Sequence, residues 1–267
     1  VGKRDAARRQ FQAKYGPYAL VAGGSDGLGG AFAKALASRG MNLVLIARQE
    51  ERLKATADRL EAKYGIKVIS VAADLADFST AKPKIDALQV PIGLLVYNAA
   101  FAPIGSFETR AEADLALAAA VNVQTPLLLV KALSGPMIQR KKGGIVLMSS
   151  LVGLQGSPNL TTYAATKSFN TTLGEGLWRE LRPHGIDVLT CCAGAILTPG
   201  YQGAQSGKTA PGTLGPQVVA EKTLRALGRG PVYVPGATNK VFRFIISRVL
   251  SRRAAIRLMA NNTGDLA

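Results

Sequence analysis

Short apolar runs recur along the chain, each followed by enough residues for a helix. Residues 18–23 (YALVAG), 42–47 (NLVLIA), 67–72 (KVISVA), 92–97 (IGLLVY), 144–149 (GIVLMS) and 186–192 (IDVLTCC) read as strands, with a short seventh at 231–235. Their Val, Ile and Leu are continuous rather than alternating, as a parallel sheet covered on both faces requires. Helical spacing fills the intervals. Residues 27–39 place Leu28, Phe32, Ala35 and Leu36 on one face, residues 50–63 turn Leu53 and Leu60 inward, and 115–139 and 161–181 supply longer helices. The alternation predicts an α/β fold with a doubly wound, open parallel sheet of about seven strands. Ligands of such a sheet sit at the carboxyl ends of the strands, near the switch point.

One segment breaks the rhythm. Residues 197–215 (LTPGYQGAQSGKTAPGTLG) are rich in Gly, Pro, Ser and Thr and directly follow the sixth strand, which reads as a substrate lid over the crevice, the alternative being a disordered insert.

At 267 residues the chain suits one domain, 1–267, with a core of about 15–236 and a basic helical extension over 237–267. A hydrophobic content of 48% against 19% charged residues excludes disorder. Adjacent Cys191 and Cys192 lie within an apolar run, and His184 stands alone, so core thiols in a reducing compartment are expected and no metal site.

The net charge of +16 is unevenly placed. Lys3, Arg4, Arg8, Arg9 and Lys14 against Asp5 leave four at the N-terminus, Arg140, Lys141 and Lys142 add three, and residues 240–257 add six with no acid. Phe242, Ile245, Ile246, Val249, Leu250 and Ile256 recur at helical spacing among those last cations. Two readings fit: a helix lying in an anionic membrane interface, or one packed on the sheet or a dimer partner with its arginines in water. Acidic acyl carrier proteins would also be drawn to such patches. Nucleic acid is not expected, for want of a recognition helix or an aromatic stacking platform. No stretch of 18 to 20 consecutive apolar residues and no apolar signal core is present, so the expected location is cytoplasmic or peripheral to a membrane. The chain begins at Val1, which leaves room for preceding residues.

Chemistry concentrates at the strand ends. After the first strand, Gly23-Gly24-Ser25-Asp26-Gly27-Leu28-Gly29 opens a helix, leaving backbone amides free to approach a pyrophosphate at the helix's positive end. Arg48 follows the second strand, where an NAD-binding protein places an acid for the ribose hydroxyls. An arginine there pairs instead with a 2′-phosphate, so NADP(H) is the expected cofactor, the alternative being that Arg48 merely caps a solvated loop. Asp74, with Leu75 after the third strand, either accepts from an adenine amine or caps a helix. Tyr163 and Lys167, four residues apart on a helix, share a face, and an ammonium there favours the phenolate of a tyrosine whose ordinary pKa is about 10. Ser150 lies at the end of strand five, at the same mouth.

Gly23-x-x-x-Gly27-x-Gly29, Asn98-Ala99-Ala100, Asn122, Ser150 and Tyr163-x-x-x-Lys167, in that order over residues 15–236, resemble the short-chain dehydrogenase/reductase family, a Rossmann-fold family. Ser25-Asp26 with Arg48 is similar to its hydroxysteroid and long-chain 3-oxoacyl reductase branch. The resemblance implies that Tyr163 is the general acid or base, that Lys167 lowers its pKa and holds the nicotinamide ribose, and that Ser150 orients the carbonyl. It implies that Asn122 holds a relay water, that Asn98 and Ala99 line the cleft, and that Gly194, Ile196 and Thr198 bracket the nicotinamide. Homodimers or homotetramers are also implied. Ala22, Tyr97, Ala100 and Ala193 depart from the pattern, which loosens the cofactor pocket without removing a proton carrier.

The expected function is NADPH-dependent reduction of an apolar ketone or 3-oxoacyl chain. A membrane-peripheral dinucleotide-binding scaffold with little catalysis is the competing reading.

Overall fold

The computed structural model describes residues 2–198 and 210–263. Seven parallel strands form one sheet in the order β3-β2-β1-β4-β5-β6-β7: β1 Tyr18–Ala22, β2 Asn42–Ala47, β3 Val68–Ala72, β4 Ile92–Tyr97, β5 Gly143–Ser150, β6 Ile186–Ala193 and β7 Val232–Tyr233. The order reverses between β1 and β4, which places the switch point there. Pro231 and Pro235 cannot donate ladder hydrogen bonds and confine β7 to two residues.

Alternate residues of each strand feed two cores. Leu43 and Leu45 of β2 pack with Phe32, Leu36 and Leu224 on one side of the sheet. Val44 and Ile46 pack with Leu129, Leu133 and Leu181 on the other. The helices supplying these layers are α2 Gly27–Ala37, α3 Glu50–Tyr64, α4 Phe78–Asp86, α5 Glu112–Ala119, α6 Thr125–Arg140, α7 Thr161–Leu181 and α8 Pro216–Ala226. Helix α4 was not legible beforehand, because it is short and carries Pro83; Asp77 starts it by accepting from the amides of Ser79 and Thr80.

Helix α1, Gly2–Tyr15, precedes β1 and packs against β4 and β5. Its Tyr15 is buried and donates to Asp187 at 2.5 Å, and Gln12 donates to the Gly40 carbonyl at 2.5 Å. Lys14 of the N-terminal cluster is paired with Asp187, and Lys142 of the cluster at 140–142 reaches the Ala13 carbonyl.

The single helix expected over 115–139 is instead α5, a π-helical turn at Ala120–Gln124, and α6. Together they run 29 residues with a mean hydropathy of 1.5 in the most apolar window, enough by length and composition to cross a bilayer, although Asn122, Gln124 and Lys131 interrupt it so that no 18 consecutive residues are apolar. The inner face of this run, Leu129, Val130, Leu133 and Met137, belongs to the core.

The basic helix expected over 240–257 is two helices: α9 Ala237–Phe244, extended by a π-helical turn at Ile245–Val249, and α10 Arg252–Thr263. Leu250 takes extended backbone between them (φ −83, ψ 143). Ile246, Ala255 and Met259 close a small core with Val152, Leu154, Phe242 and Leu250. The lid expected over 197–215 falls largely outside the described residues. Its two ends meet where Ile196 pairs with Leu214.

Candidate active site

The carboxyl ends of the strands carry every candidate position named above. Gly23 adopts φ +77 and donates to the Ile46 carbonyl at 2.8 Å, turning the chain out of β1. A Cβ on Gly29 would lie 1.7 Å from the Gly23 carbonyl oxygen, so only glycine lets α2 start this close to the turn. Asp26 caps α2, accepting from Gly27 at 2.6 Å, and Leu28 is buried behind it. The Ser25 carbonyl accepts from Thr56 at 3.1 Å, which ties the turn to α3. Asn98 and Ala99 both donate backbone amides to Ala22, at 3.1 and 2.9 Å, and the Asn98 amide reaches the Gly23 carbonyl at 3.3 Å. The turn after β1 and the end of β4 are thus one unit.

Arg48 is exposed beyond β2, with no hydrogen bond or ion pair among the described residues. Asp74 accepts from the Ala76 amide at 2.9 Å in the turn ahead of α4, whose cap is Asp77, and Leu75 is buried, its carbonyl accepting from Thr125 at 2.5 Å. Beyond β6, Thr198 brings its methyl carbon to 3.4 Å from where a Gly27 Cβ would stand. Residues 194–198 therefore close over the glycine turn. A dinucleotide fits these residues: a cradle without side chains, the start of a helix, and an unpaired guanidinium beside the second strand.

Lys167 is buried beneath Tyr163. Its ammonium donates to the Met148 carbonyl at 3.0 Å and lies 5.3 Å from the Tyr163 ring centroid. Ser149 and Thr171 donate to the Lys167 carbonyl at 2.7 and 3.1 Å, fixing α7 against β5. Burial pulls the Lys167 pKa down to about 8, opposed in smaller part by Cys192, and pushes the Tyr163 phenol up to about 12. Ser150, half-buried at the end of β5, accepts from the Val152 amide at 3.4 Å and starts a short 3₁₀ turn.

Asn122 lies in the π-helical turn, fully buried. Its side chain accepts from the Phe101 amide at 2.8 Å and donates to the Phe101 carbonyl at 2.7 Å and to Thr166 at 3.1 Å. Its own carbonyl accepts from Asn170 at 3.0 Å. Both Asn122 side-chain donors are engaged, so the expected relay water would have to donate to a remaining lone pair on its side-chain or main-chain oxygen.

Two residues were not legible in this role. Tyr97 donates to the Val121 carbonyl beside Asn122, and its signal was one aromatic at the end of an aliphatic strand. Asn239, in the segment read as a surface helix, is buried and donates to the Gly212 and Pro235 carbonyls, each at 3.0 Å. A Cβ on Gly194 would lie 2.7 Å from its side-chain oxygen. No sequence pattern announced that clamp.

Fold and site together define a class, the α/β oxidoreductases that use a nicotinamide dinucleotide. A model of the short chain dehydrogenase family matches residues 17–208, so the chain belongs to that family and interconverts alcohols and carbonyls. It is similar to the very-long-chain 3-oxoacyl-CoA reductase of Phaeosphaeria nodorum, 31% identical over 265 residues that span 92% of this chain and 75% of the relative. Among solved structures it is similar to a 7beta-hydroxysteroid dehydrogenase, with TM-score 0.86, 26% identity, and 93% of this chain and 98% of that one covered. It is also similar to the short-chain dehydrogenase from Sphingobium yanoikuyae in complex with NADPH, with TM-score 0.77, 29% identity, and 88% and 97% covered.

Proposed function

We propose that the protein is a one-domain, NADPH-dependent reductase of apolar ketones or 3-oxoacyl chains. The observation that carries this reading is the buried Lys167 ammonium held by Met148 beneath the Tyr163 ring, next to the end of β5 where Ser150 stands. The glycine turn at Gly23, Gly27 and Gly29 would hold a reduced nicotinamide dinucleotide, whose chemistry would be hydride donation to a carbonyl carbon. Tyr163 gives its phenol proton to the carbonyl oxygen, so the product is the alcohol and the residue left behind is a phenolate. Lys167 stabilises that phenolate through its charge, and Ser150 donates a hydrogen bond that orients the substrate oxygen. Asn122 braces α7 through Thr166.

Arg48 supports the 2′-phosphorylated cofactor, because its guanidinium is exposed and unpaired at the position where the adenosine ribose ends. The NADPH named in the complex of the similar Sphingobium enzyme agrees with this choice. The substrate class rests on two similar proteins whose names specify a long acyl chain and a steroid, both large and apolar. The competing scaffold reading shares the fold but leaves this proton-handling set without a purpose. Homodimers or homotetramers, working in the cytoplasm or at a membrane surface, complete the proposal.

The test is NADPH consumption by the purified protein with a long-chain 3-oxoacyl thioester, a ketosteroid and a small polar ketone. Turnover of either large substrate well above the small one is expected. Turnover of none of them, with NADPH bound, would overturn the reading.

A further inference from the structure

Helix α9 is apolar on two sides. Phe242 and Ile246 face inward against Val152, Leu154, Ala255 and Met259, and Asn239 lies on the same inner side. On the outer side Val241, Phe244, Ile245 and Val249 stand 58%, 61%, 38% and 63% exposed. Their spacing makes one stripe along the helix and its π-helical extension, where scattered apolar residues would need no explanation and a contiguous stripe does.

The charges carried by α9 and α10 themselves have one sign. Residues 237–263 carry Lys240, Arg243, Arg248, Arg252, Arg253 and Arg257 and no acid. Arg252 reaches the Leu154 carbonyl at 2.8 Å, whereas Arg248, Arg253 and Arg257 are exposed and have no hydrogen bond or ion pair among the described residues.

We propose that this outer face docks on an anionic lipid bilayer, with the four apolar side chains entering the interface and the unpaired arginines meeting lipid phosphates. A second copy of the chain fits poorly, because two-fold pairing of this face would set cations against cations. An acidic protein would match the charge, but nothing holds Arg248, Arg253 and Arg257 in a fixed pattern that could read particular carboxylates. A fluid anionic surface asks for no such pattern.

The docked helix would stand one side chain from the candidate site. Asn239 joins its inner side to Gly212 and packs on Gly194, the two flanks of the segment that follows β6. If the reductase reading holds, an apolar substrate dissolved in the bilayer reaches the mouth from this side. The docking itself does not depend on turnover and is measured without cofactor or substrate.

The experiment is co-flotation of the full chain with vesicles of phosphatidylcholine alone and of phosphatidylcholine with phosphatidylserine, at low and high salt. Binding to the anionic vesicles is expected, reduced but not abolished by salt. The exposed double variant Phe244→Ser/Val249→Ser should bind at least about tenfold more weakly, and Arg248→Gln/Arg253→Gln/Arg257→Gln should lose the preference for phosphatidylserine. Unchanged melting temperatures establish that both variants fold. No binding to anionic vesicles, or full binding by the Phe244/Val249 variant, would overturn the proposal. So would light scattering showing that this variant dissociates an oligomer while vesicle binding is untouched, since the stripe would then serve a second copy.

Discussion

The Tyr97 hydroxyl donates to the Val121 main-chain carbonyl across 2.5 Å in a buried contact, tying the end of β4 to the π-helical turn that carries Asn122. Burial raises the phenol far above its ordinary pKa, so the group stays a donor at any working pH. From the sequence, Tyr97 was a departure that loosens the cofactor pocket. In the structure it anchors the turn that braces α7.

Tyr97→Phe should therefore cost stability of about 1 to 3 kcal/mol, because it leaves a buried carbonyl without its partner. Urea unfolding measures that loss. Turnover should fall further than the stability change explains, since Asn122 loses its support. Unchanged unfolding would mean that the Val121 carbonyl finds another donor.

Gly29→Ala places a Cβ 1.7 Å from the Gly23 carbonyl oxygen and 2.9 Å from the Asn98 amide nitrogen. Those are a backbone atom and a short side chain, so α2 has to shift away from the turn. NADPH affinity should drop by at least about tenfold with a lower melting temperature, as expected where only glycine permits the approach. Calorimetric titration beside a melting curve checks both.

The strands themselves were legible because continuous Val, Ile and Leu runs have one common explanation, a sheet covered on both faces, whereas their order in the sheet was not. Ser150 was legible at the end of strand five, and Tyr163 and Lys167 as a pair four residues apart on one helix face. Helix α1 was not, since its polar face is long and its anchor, Tyr15 to Asp187, joins residues 172 apart. The C-terminal pattern misled in a specific way. Phe242, Ile246 and Leu250 are spent on packing, and the exposed stripe is formed partly by Val241 and Phe244, which the seam had left out. Periodicity locates apolar faces but does not say which of two meets protein.

Arg48→Ala should weaken NADPH by about ten- to a hundredfold and leave NADH nearly unchanged, because on the proposed reading the guanidinium meets only the 2′-phosphate. Fluorescence titration with each cofactor reads the ratio. An equal loss for both would place Arg48 in the fold rather than in cofactor choice.

Lys167 gives the protein a pH signature. Its pKa falls from 10.5 unfolded to about 8 folded, so below about pH 8 both states are protonated and the burial cost is complete. Between about 8 and 10.5 only the unfolded chain holds the proton, and this contribution makes the protein more stable as pH rises. Lys167→Met removes the term, so its stability relative to the native chain should decline by about 3 kcal/mol between neutral pH and pH 10. Denaturant melts at both ends measure it, and a pH-independent difference would contradict burial as the cause.

The central claim is that Tyr163 carries the proton. Its phenol is pushed up to about 12, so it is protonated at neutral pH and ready to give that proton to a carbonyl oxygen. The decisive measurement is the single-turnover rate of NADPH oxidation by Tyr163→Phe with the best carbonyl substrate, alongside NADPH affinity. The account predicts that the rate falls by at least about a hundredfold, the usual scale of general acid catalysis, while NADPH affinity changes little. A rate within a few-fold of the native enzyme would mean that another group delivers the proton, and the assignment of this site would fail.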